Sequence, residues 1–297
     1  MYIGRFAPSP TGPLHFGSLI TAVASYCDAK ANHGKWLVRI EDLDLPRTIK
    51  GAADTILRQL EAFGLVWDDK VVYQSQRHAY YEQALQQLQT QHLIYPCTCT
   101  RKEVADASDQ RGVDGIIYPR TCLNHPLKSN APQAWRVKTE QEVIQFKDLV
   151  QGHIQQNIGL EVGDFILKRA DNLFSYQLAV VVDDALQGVT HIVRGADLLD
   201  STPRQMYLQH ALQYTVPHYA HIPIATNSKG EKLSKQTHAK PIEAQYANDL
   251  LYDALSFLQQ HPPVALKIAP INEILHWATC YWHLNQVRHQ QAICYQM

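Results

Sequence analysis

Apolar positions change period twice within the first forty residues. Ile3-Gly4-Arg5-Phe6 reads as a short buried strand, and Phe16, Leu19, Ile20, Val23 and Cys27 then recur at helical spacing, giving one apolar stripe. Trp36-Leu37-Val38-Arg39-Ile40 is a continuous run of the kind found in parallel sheets covered on both faces. Helical spacing returns at Ile56, Leu57, Leu60 and Phe63, and again through Tyr81, Ala84, Leu85 and Leu88. Strand alternating with helix predicts βαβ units and an α/β, Rossmann-like layout with a parallel sheet.

The pattern breaks near Cys97. Residues 97–130 carry three cysteines, several turn formers and few regularly spaced apolar residues, which predicts an insertion between two halves of the α/β unit. Periodic structure resumes at Phe165-Ile166-Leu167 and is clear by Tyr176 to Asp183, and Val189 to Gly195 reads as a strand ending in a turn. Thr202-Pro203-Arg204-Gln205 predicts a helix start with a hydroxyl cap, proline at the first helical position and glutamine closing a capping box. Ile222-Pro223-Ile224-Ala225 predicts a short strand leading to a turn at Asn227 to Gly230 and then to Lys232-Leu233-Ser234-Lys235. The expected organisation is residues 1–96 as the first half of the α/β unit, 97–165 as the insertion, 166–240 as the second half with the lysine loop, and 241–297 as a short helical region.

Composition narrows this picture only a little. The 297 residues are 45% hydrophobic and 19% charged, with a net charge of −1, so any contact with RNA would rest on a local basic strip. No apolar run approaches the ~20 residues that span a bilayer, and the first residues lack a charged leader followed by an apolar stretch. Six cysteines are too sparse for a disulfide framework; Cys27, Cys280 and Cys294 are expected to be packed, in a cytoplasmic protein without a membrane partner.

Two short segments carry the candidate chemistry. Pro8-Ser9-Pro10-Thr11-Gly12-Pro13-Leu14-His15-Phe16-Gly17-Ser18 is a tight loop that delivers a histidine and a glycine to a helix start, where backbone amides suit a polyphosphate. His15 can donate to phosphoryl oxygens, and Gly17 lets a flat purine approach the backbone. Lys232 and Lys235, following Gly230, offer two ammonium groups to an α-phosphorus and a departing pyrophosphate. Each loop alone equally fits a plain reading, a histidine that caps its helix and a solvated charged loop. Both together, in this order, point to ATP. Arg5, Glu41 and Arg194 fall at predicted strand ends, where guanidinium groups suit carboxylates and a carboxylate suits an ammonium ion. Cys97, Cys99 and Cys122 supply three thiolates for a tetrahedral metal, with His125 or a carboxylate as the fourth ligand by spacing.

Arg5-Phe6-Ala7-Pro8-Ser9-Pro10-Thr11-Gly12 with His15-Phe16-Gly17-Ser18 resembles the first signature of class I aminoacyl-tRNA synthetases of the glutamyl/glutaminyl branch, and Lys232-Leu233-Ser234-Lys235-Gln236 resembles the second. Val193 to Leu198 and Ser201 to Gln205 belong to the same pattern, with Ser18 in place of a second histidine and Gln236 in place of a final serine. The resemblance implies a Rossmann-like class I synthetase catalytic domain with a zinc-bearing insertion. It implies that Arg5, Phe6, Ala7, Pro8 and Ser9 hold glutamate, with Glu41 on its ammonium group and Tyr176 and Arg194 on its side chain. ATP and Mg²⁺ would be bound by His15, Gly17, Ser18, Lys232 and Lys235, with His15, Lys232 and Lys235 catalytic. One structural Zn²⁺ would sit on Cys97, Cys99, Tyr118 and Cys122, since the related family uses a tyrosine four residues before its last cysteine. The residues after Lys235 are too few for an anticodon-binding region, which is similar to the stand-alone glutamyl-queuosine tRNA(Asp) synthetase family. The implied partners are L-glutamate, ATP and a tRNA(Asp) carrying queuosine, for a chain acting as a monomer. The alternatives are a shortened synthetase charging a tRNA 3′ end, a nucleotidyltransferase working without tRNA and a non-catalytic RNA-binding paralogue.

Overall fold

The computed structural model describes residues 1–233 and 240–295. β1 (Ile3–Phe6) leads through the Pro/Gly loop to α1 (Phe16–Ala31) and β2 (Lys35–Ile40), followed by α2 (Ala52–Ala62) and β3 (Val72–Tyr73). These strands form a parallel sheet in the order β1-β2-β3, with Arg5 opposite Leu37 and Arg39 opposite Val72. α3 (His78–Thr90) and β4 (Ile94–Cys97) bring the chain to the cysteine-bearing segment, built from α4 (Arg101–Ala107), the β5 (Arg111–Gly112) and β6 (Gly115–Ile116) pair and α5 (Thr121–Asn124). β7 (Ala134–Val137) then pairs with β4, and β8 (Val143–Asp148) and β9 (Gly152–Asn157) form a hairpin. After α6 (Ile158–Glu161) and β10 (Ile166–Lys168), the helix α7 (Tyr176–Leu186) and β11 (His191–Gly195) return to the main sheet. α8 (Thr202–Leu212) connects to β12 (His218–Ile222), which runs parallel to β11. β13 (Ile224–Thr226), α9 (Ala247–Phe257), α10 (Ile271–Cys280) and β14 (Ala292–Cys294) complete the chain.

The position of β11 decides where a ligand can bind. The Tyr2 carbonyl accepts from Lys35 N on the β2 side at 3.0 Å, while the Ile3 carbonyl accepts from Thr190 N at 2.9 Å. Successive backbone groups of a strand point to opposite edges, so β11 lies across β1 from β2. β1 thus has β2, its successor in the chain, on one side and β11, from the second half, on the other, and the crevice outside the carboxyl ends of β1 and β11 is a topological switch point.

Packing follows from the apolar stripes. Leu19, Ala22, Val23, Ala24 and Cys27 of α1 are fully buried between the sheet and the α9–α10 pair. A second cluster joins α3, α7 and α8 to β4, β7 and β8. Between the two cores lies a buried charge network. Arg39, wholly enclosed in β2, meets Asp184 Oδ1 at 2.8 Å, Glu41 Oε1 at 3.3 Å and Asp183 Oδ2 at 3.9 Å. Asp183 in turn accepts from Arg77, Tyr81 and Gln74, and Asp184 accepts from Arg5.

The helix start at Thr202 differs from the sequence expectation. Ser201 is the N-cap, Pro203 is the second helical residue and no side chain caps the helix. A 3₁₀ turn, Ala196–Ser201, runs directly into α8, so there is no free start to cap. Thr202 Oγ1 instead accepts from Arg194, and Gln205 donates to Gln177 Oε1 at 2.9 Å. The strand expected at Ile222 to Ala225 is divided at Pro223, and its second part pairs with β14, a strand in a region whose pattern reads as helical. Cys27 is buried, but Cys280 and Cys294 are exposed, since one closes α10 towards solvent and the other lies on an edge strand. Among the described residues no helix is long and apolar enough to cross a membrane.

Candidate active site

A cleft of about 630 Å³ opens at the carboxyl ends of β1 and β11. Its lining includes Arg5 to Ser9 from β1 and its loop, His15, Gly17 and Ser18 from the start of α1, and Glu41 from the end of β2. Tyr176 at the first position of α7, Arg194 on β11 and Lys232 complete the wall. Residues from five separate stretches of chain therefore converge where the topology places a ligand. Lys235 lies outside the described residues.

Local geometry explains how each is held. The loop after β1 is tied to β2 by Glu41 N donating to the Pro8 carbonyl at 3.0 Å. His15 is the N-cap of α1, with extended backbone, and its Nδ1 accepts from Ser18 N at 3.3 Å. That bond puts the neutral ring's proton on Nε2, 3.1 Å from Ser18 Oγ, so the capping histidine keeps a donor. Capping and ligand binding are thus compatible roles. Gly17 is required by packing: a Cβ there would lie 2.9 Å from the Leu233 carbonyl oxygen and 3.2 Å from His15 Cε1. The close approach at this glycine is between the helix start and the lysine segment, which reaches it through Leu233 N donating to the Ala225 carbonyl and a bridge from Lys232 to Thr226. The Lys232 ammonium lies 2.5 Å from Asp197 Oδ2, on the same cleft.

The two arginines are held in different ways. Arg5 Nε and Nη2 face both oxygens of Asp184, at 3.2 and 3.4 Å. Arg194 donates from Nε to His221 Nε2 at 3.0 Å and from Nη2 to Thr202 Oγ1 at 2.8 Å. Its Nη1 is buried without a hydrogen-bond partner. His221 Nδ1 lies 2.6 Å from Asp148 Oδ2, and burial above all pushes the imidazole down to about 4. Burial acts to raise Asp148, but hydrogen bonds from His221 and backbone amides hold it below the usual carboxylate range. Glu41 moves the other way, upward, because burial outweighs the opposing pull of Arg39 and Arg5. His221, Asp148 and Thr202 stand behind Arg194 and hold it towards the cleft, and the sequence reading missed this support. The available signal was that His221 shares a strand face with Tyr219, two residues before it, in an otherwise apolar run.

The three thiols also converge. The sulfurs of Cys97, Cys99 and Cys122 lie within 4.8 Å of one another, and no His, Asp or Glu among the described residues joins them at that range. His125 is not within that range. Tyr118 Oη is 3.4 Å from Cys97 Sγ and 3.5 Å from Cys99 Sγ, and it accepts from Cys122 N at 2.8 Å. Three sulfurs and an oxygen in this arrangement fit a four-coordinate Zn²⁺. Asp164 fastens the segment to the body, accepting from Arg120, Tyr95 Oη and both Thr139 donors.

A family model described as tRNA synthetases class I (E and Q), catalytic domain, matches residues 3–261, and the chain belongs to that family, a family of ligases whose substrate is ATP. Within it, the chain is 53% identical over 285 residues to a Thiobacillus denitrificans protein named glutamyl-Q tRNA(Asp) synthetase, covering 96% of this chain and 94% of that one. Proteins with the same name from Neisseria meningitidis serogroup A and Dechloromonas aromatica are 52% and 50% identical, each across 97% of its own length and 97% and 98% of this chain. The chain falls in this glutamyl-Q group of the family. Two glutamate-tRNA synthetases of known structure share the fold. The one from Elizabethkingia meningosepticum, in complex with its amino acid, has a TM-score of 0.78 at 23% identity, covering 98% of this chain and 66% of that one. The one from Elizabethkingia anophelis has a TM-score of 0.80 at 23% identity, with 99% and 68% covered. The chain thus spans about two thirds of the length of those two synthetases.

Proposed function

We propose that this protein activates L-glutamate with ATP and transfers the glutamyl group to queuosine in the anticodon of tRNA(Asp). What carries the reading is that one cleft at the switch point is lined by Arg5, His15, Glu41, Tyr176, Arg194 and Lys232 together. In this reading Glu41 receives the ammonium group of glutamate, Tyr176 and Arg194 receive its side-chain carboxylate, and Arg5 to Ser9 form the floor. ATP lies over Gly17 and Ser18, with His15 Nε2 and the Lys232 and Lys235 ammonium groups on its phosphates and Mg²⁺ accompanying the nucleotide. An α-carboxylate oxygen of glutamate attacks the α-phosphorus, the bond to the β-phosphate bridge breaks, and pyrophosphate leaves. A hydroxyl of the queuosine cyclopentenediol then attacks the activated carbonyl carbon. AMP departs, and the hydroxyl proton passes to its phosphate or to water. Positioning and electrostatics supply the rate, because no protein nucleophile is needed. We take the reaction to be cytoplasmic and the protein to work as a monomer.

The acceptor is tested by incubating the enzyme, ATP and labelled glutamate with queuosine-containing tRNA(Asp) and with the queuosine-free transcript. Label on the first alone is expected. Equal labelling of both would replace this reading with a shortened synthetase that charges the 3′ end.

We further propose a structural Zn²⁺ held by Cys97, Cys99, Tyr118 and Cys122, with residues 97–165 as a separate insertion between the two halves of the catalytic domain. A chain purified without chelator should contain equimolar zinc by elemental analysis. Cys122→Ser should lose the metal and lower the melting temperature, because metal-binding free energy is folding free energy for a small ligand-poor segment. A variant with unchanged zinc content and melting temperature would remove the metal from this picture.

A further inference from the structure

We propose that His221 is a positioning residue that selects a negatively charged side chain in the cleft, by holding Arg194 through an uncharged acceptor. This rests on the reading that the cleft takes glutamate. The argument starts from which atoms can donate. An arginine has only donors, so the His221 Nε2 that receives Arg194 Nε must carry a lone pair. Nδ1 then carries the proton and donates to Asp148 Oδ2 at 2.6 Å. The other Asp148 oxygen accepts the backbone N–H groups of Val150, Gln151 and His221 at 2.8 to 3.1 Å, so the carboxylate cannot turn away. The tautomer is therefore set from both sides, in a ring that is fully buried.

The consequence is electrostatic. Among the described residues no carboxylate lies within 4.0 Å of Arg194, whereas Arg5 in the same cleft is paired with Asp184 at 3.2 Å. Arg194 is 3% exposed and presents Nη1 with no hydrogen-bond partner. A buried guanidinium left in that state is strongly unfavourable unless a ligand supplies the missing charge. A carboxylate does so; the isosteric amide can accept a hydrogen bond but brings no charge. Had an aspartate held Arg194 directly, the difference between acid and amide would largely vanish. The neutral histidine orients the arginine without cancelling it, and Thr202 Oγ1 fixes the second nitrogen at 2.8 Å.

The test separates the two nitrogens of the ring. His221→Gln retains an acceptor for Arg194, and His221→Asn retains a donor for Asp148 but loses that acceptor. In glutamate-dependent ATP–pyrophosphate exchange with the full chain, His221→Asn should raise the KM for glutamate about tenfold or more, with the KM for ATP and kcat within about twofold. His221→Gln should recover most of that loss. Asp148→Asn, which keeps the oxygen for the backbone amides but offers the ring a donor, should behave like His221→Asn. In the unaltered protein, ¹⁵N NMR of labelled histidine should find His221 protonated at Nδ1. Protonation at Nε2, an unmoved KM for glutamate in His221→Asn, or equal changes in both KM values with a fallen kcat would overturn the inference alone. Exchange by the unaltered chain that does not need glutamate would overturn the functional reading and this inference with it.

Discussion

Arg194→Leu is expected to raise the KM for glutamate by about 10- to 100-fold, the loss of a charge-assisted hydrogen bond worth ~1.5–3 kcal/mol, while the KM for ATP stays near its original value. The leucine fills much of the space of the aliphatic stem but carries no charge into the cleft. The fold should survive, because Thr202 Oγ1 lies 3.0 Å from His221 Nε2 and the two groups left behind can satisfy each other. Discrimination against glutamine should narrow at the same time, since the amide never gained from the lost charge. Glutamate-dependent pyrophosphate exchange with both amino acids measures this. A KM for glutamate that does not move would take Arg194 out of substrate recognition.

Arg39→Met should destabilise the protein by about 3–5 kcal/mol, the usual result of removing one partner from a buried ion pair. Asp184 would keep only Arg5, at 3.2 and 3.4 Å, and Glu41 would lose its ion pair at 3.3 Å. A methionine of similar length fills the space without supplying any of those donors. Since the whole stability of a domain is ~5–15 kcal/mol, the shift should be obvious as a lower urea midpoint and melting temperature. A change below about 1 kcal/mol would mean that the carboxylates find other partners or take up protons without penalty.

Much of this could be read from the chain, for a physical reason. The βαβ frame follows from local periodicity, so the stripes at Phe16 to Cys27 and the run at Trp36 to Ile40 became α1 and β2. The cleft residues sit in short motifs whose composition already states their chemistry, a Pro/Gly loop ending in histidine and arginines at strand ends, and the paired thiols of the inserted segment do the same for a metal. What escaped is non-local. Asp148 and His221 meet across 73 positions, and neither lies in a motif. Thr202 was misread because a hydroxyl before a proline looks like a cap, whereas its oxygen is taken by Arg194 at the end of the preceding strand. β14 was missed because a three-residue strand in a helical region has no periodic signal. The fourth position of the thiol cluster stays open from spacing alone, because only the fold brings Tyr118 Oη to 3.4 and 3.5 Å from two of the sulfurs.

Arg5 belongs both to the cleft wall and, through Asp184, to the charge network around Arg39. Anyone redesigning this enzyme for a different amino acid would therefore find the two sides of the cleft unequal. Changes beside Arg5 would trade selectivity against thermal robustness, because the same carboxylate serves both. The strand carrying Arg194 offers a freer place to begin a directed-evolution library, since its polar neighbours can re-pair when the guanidinium goes.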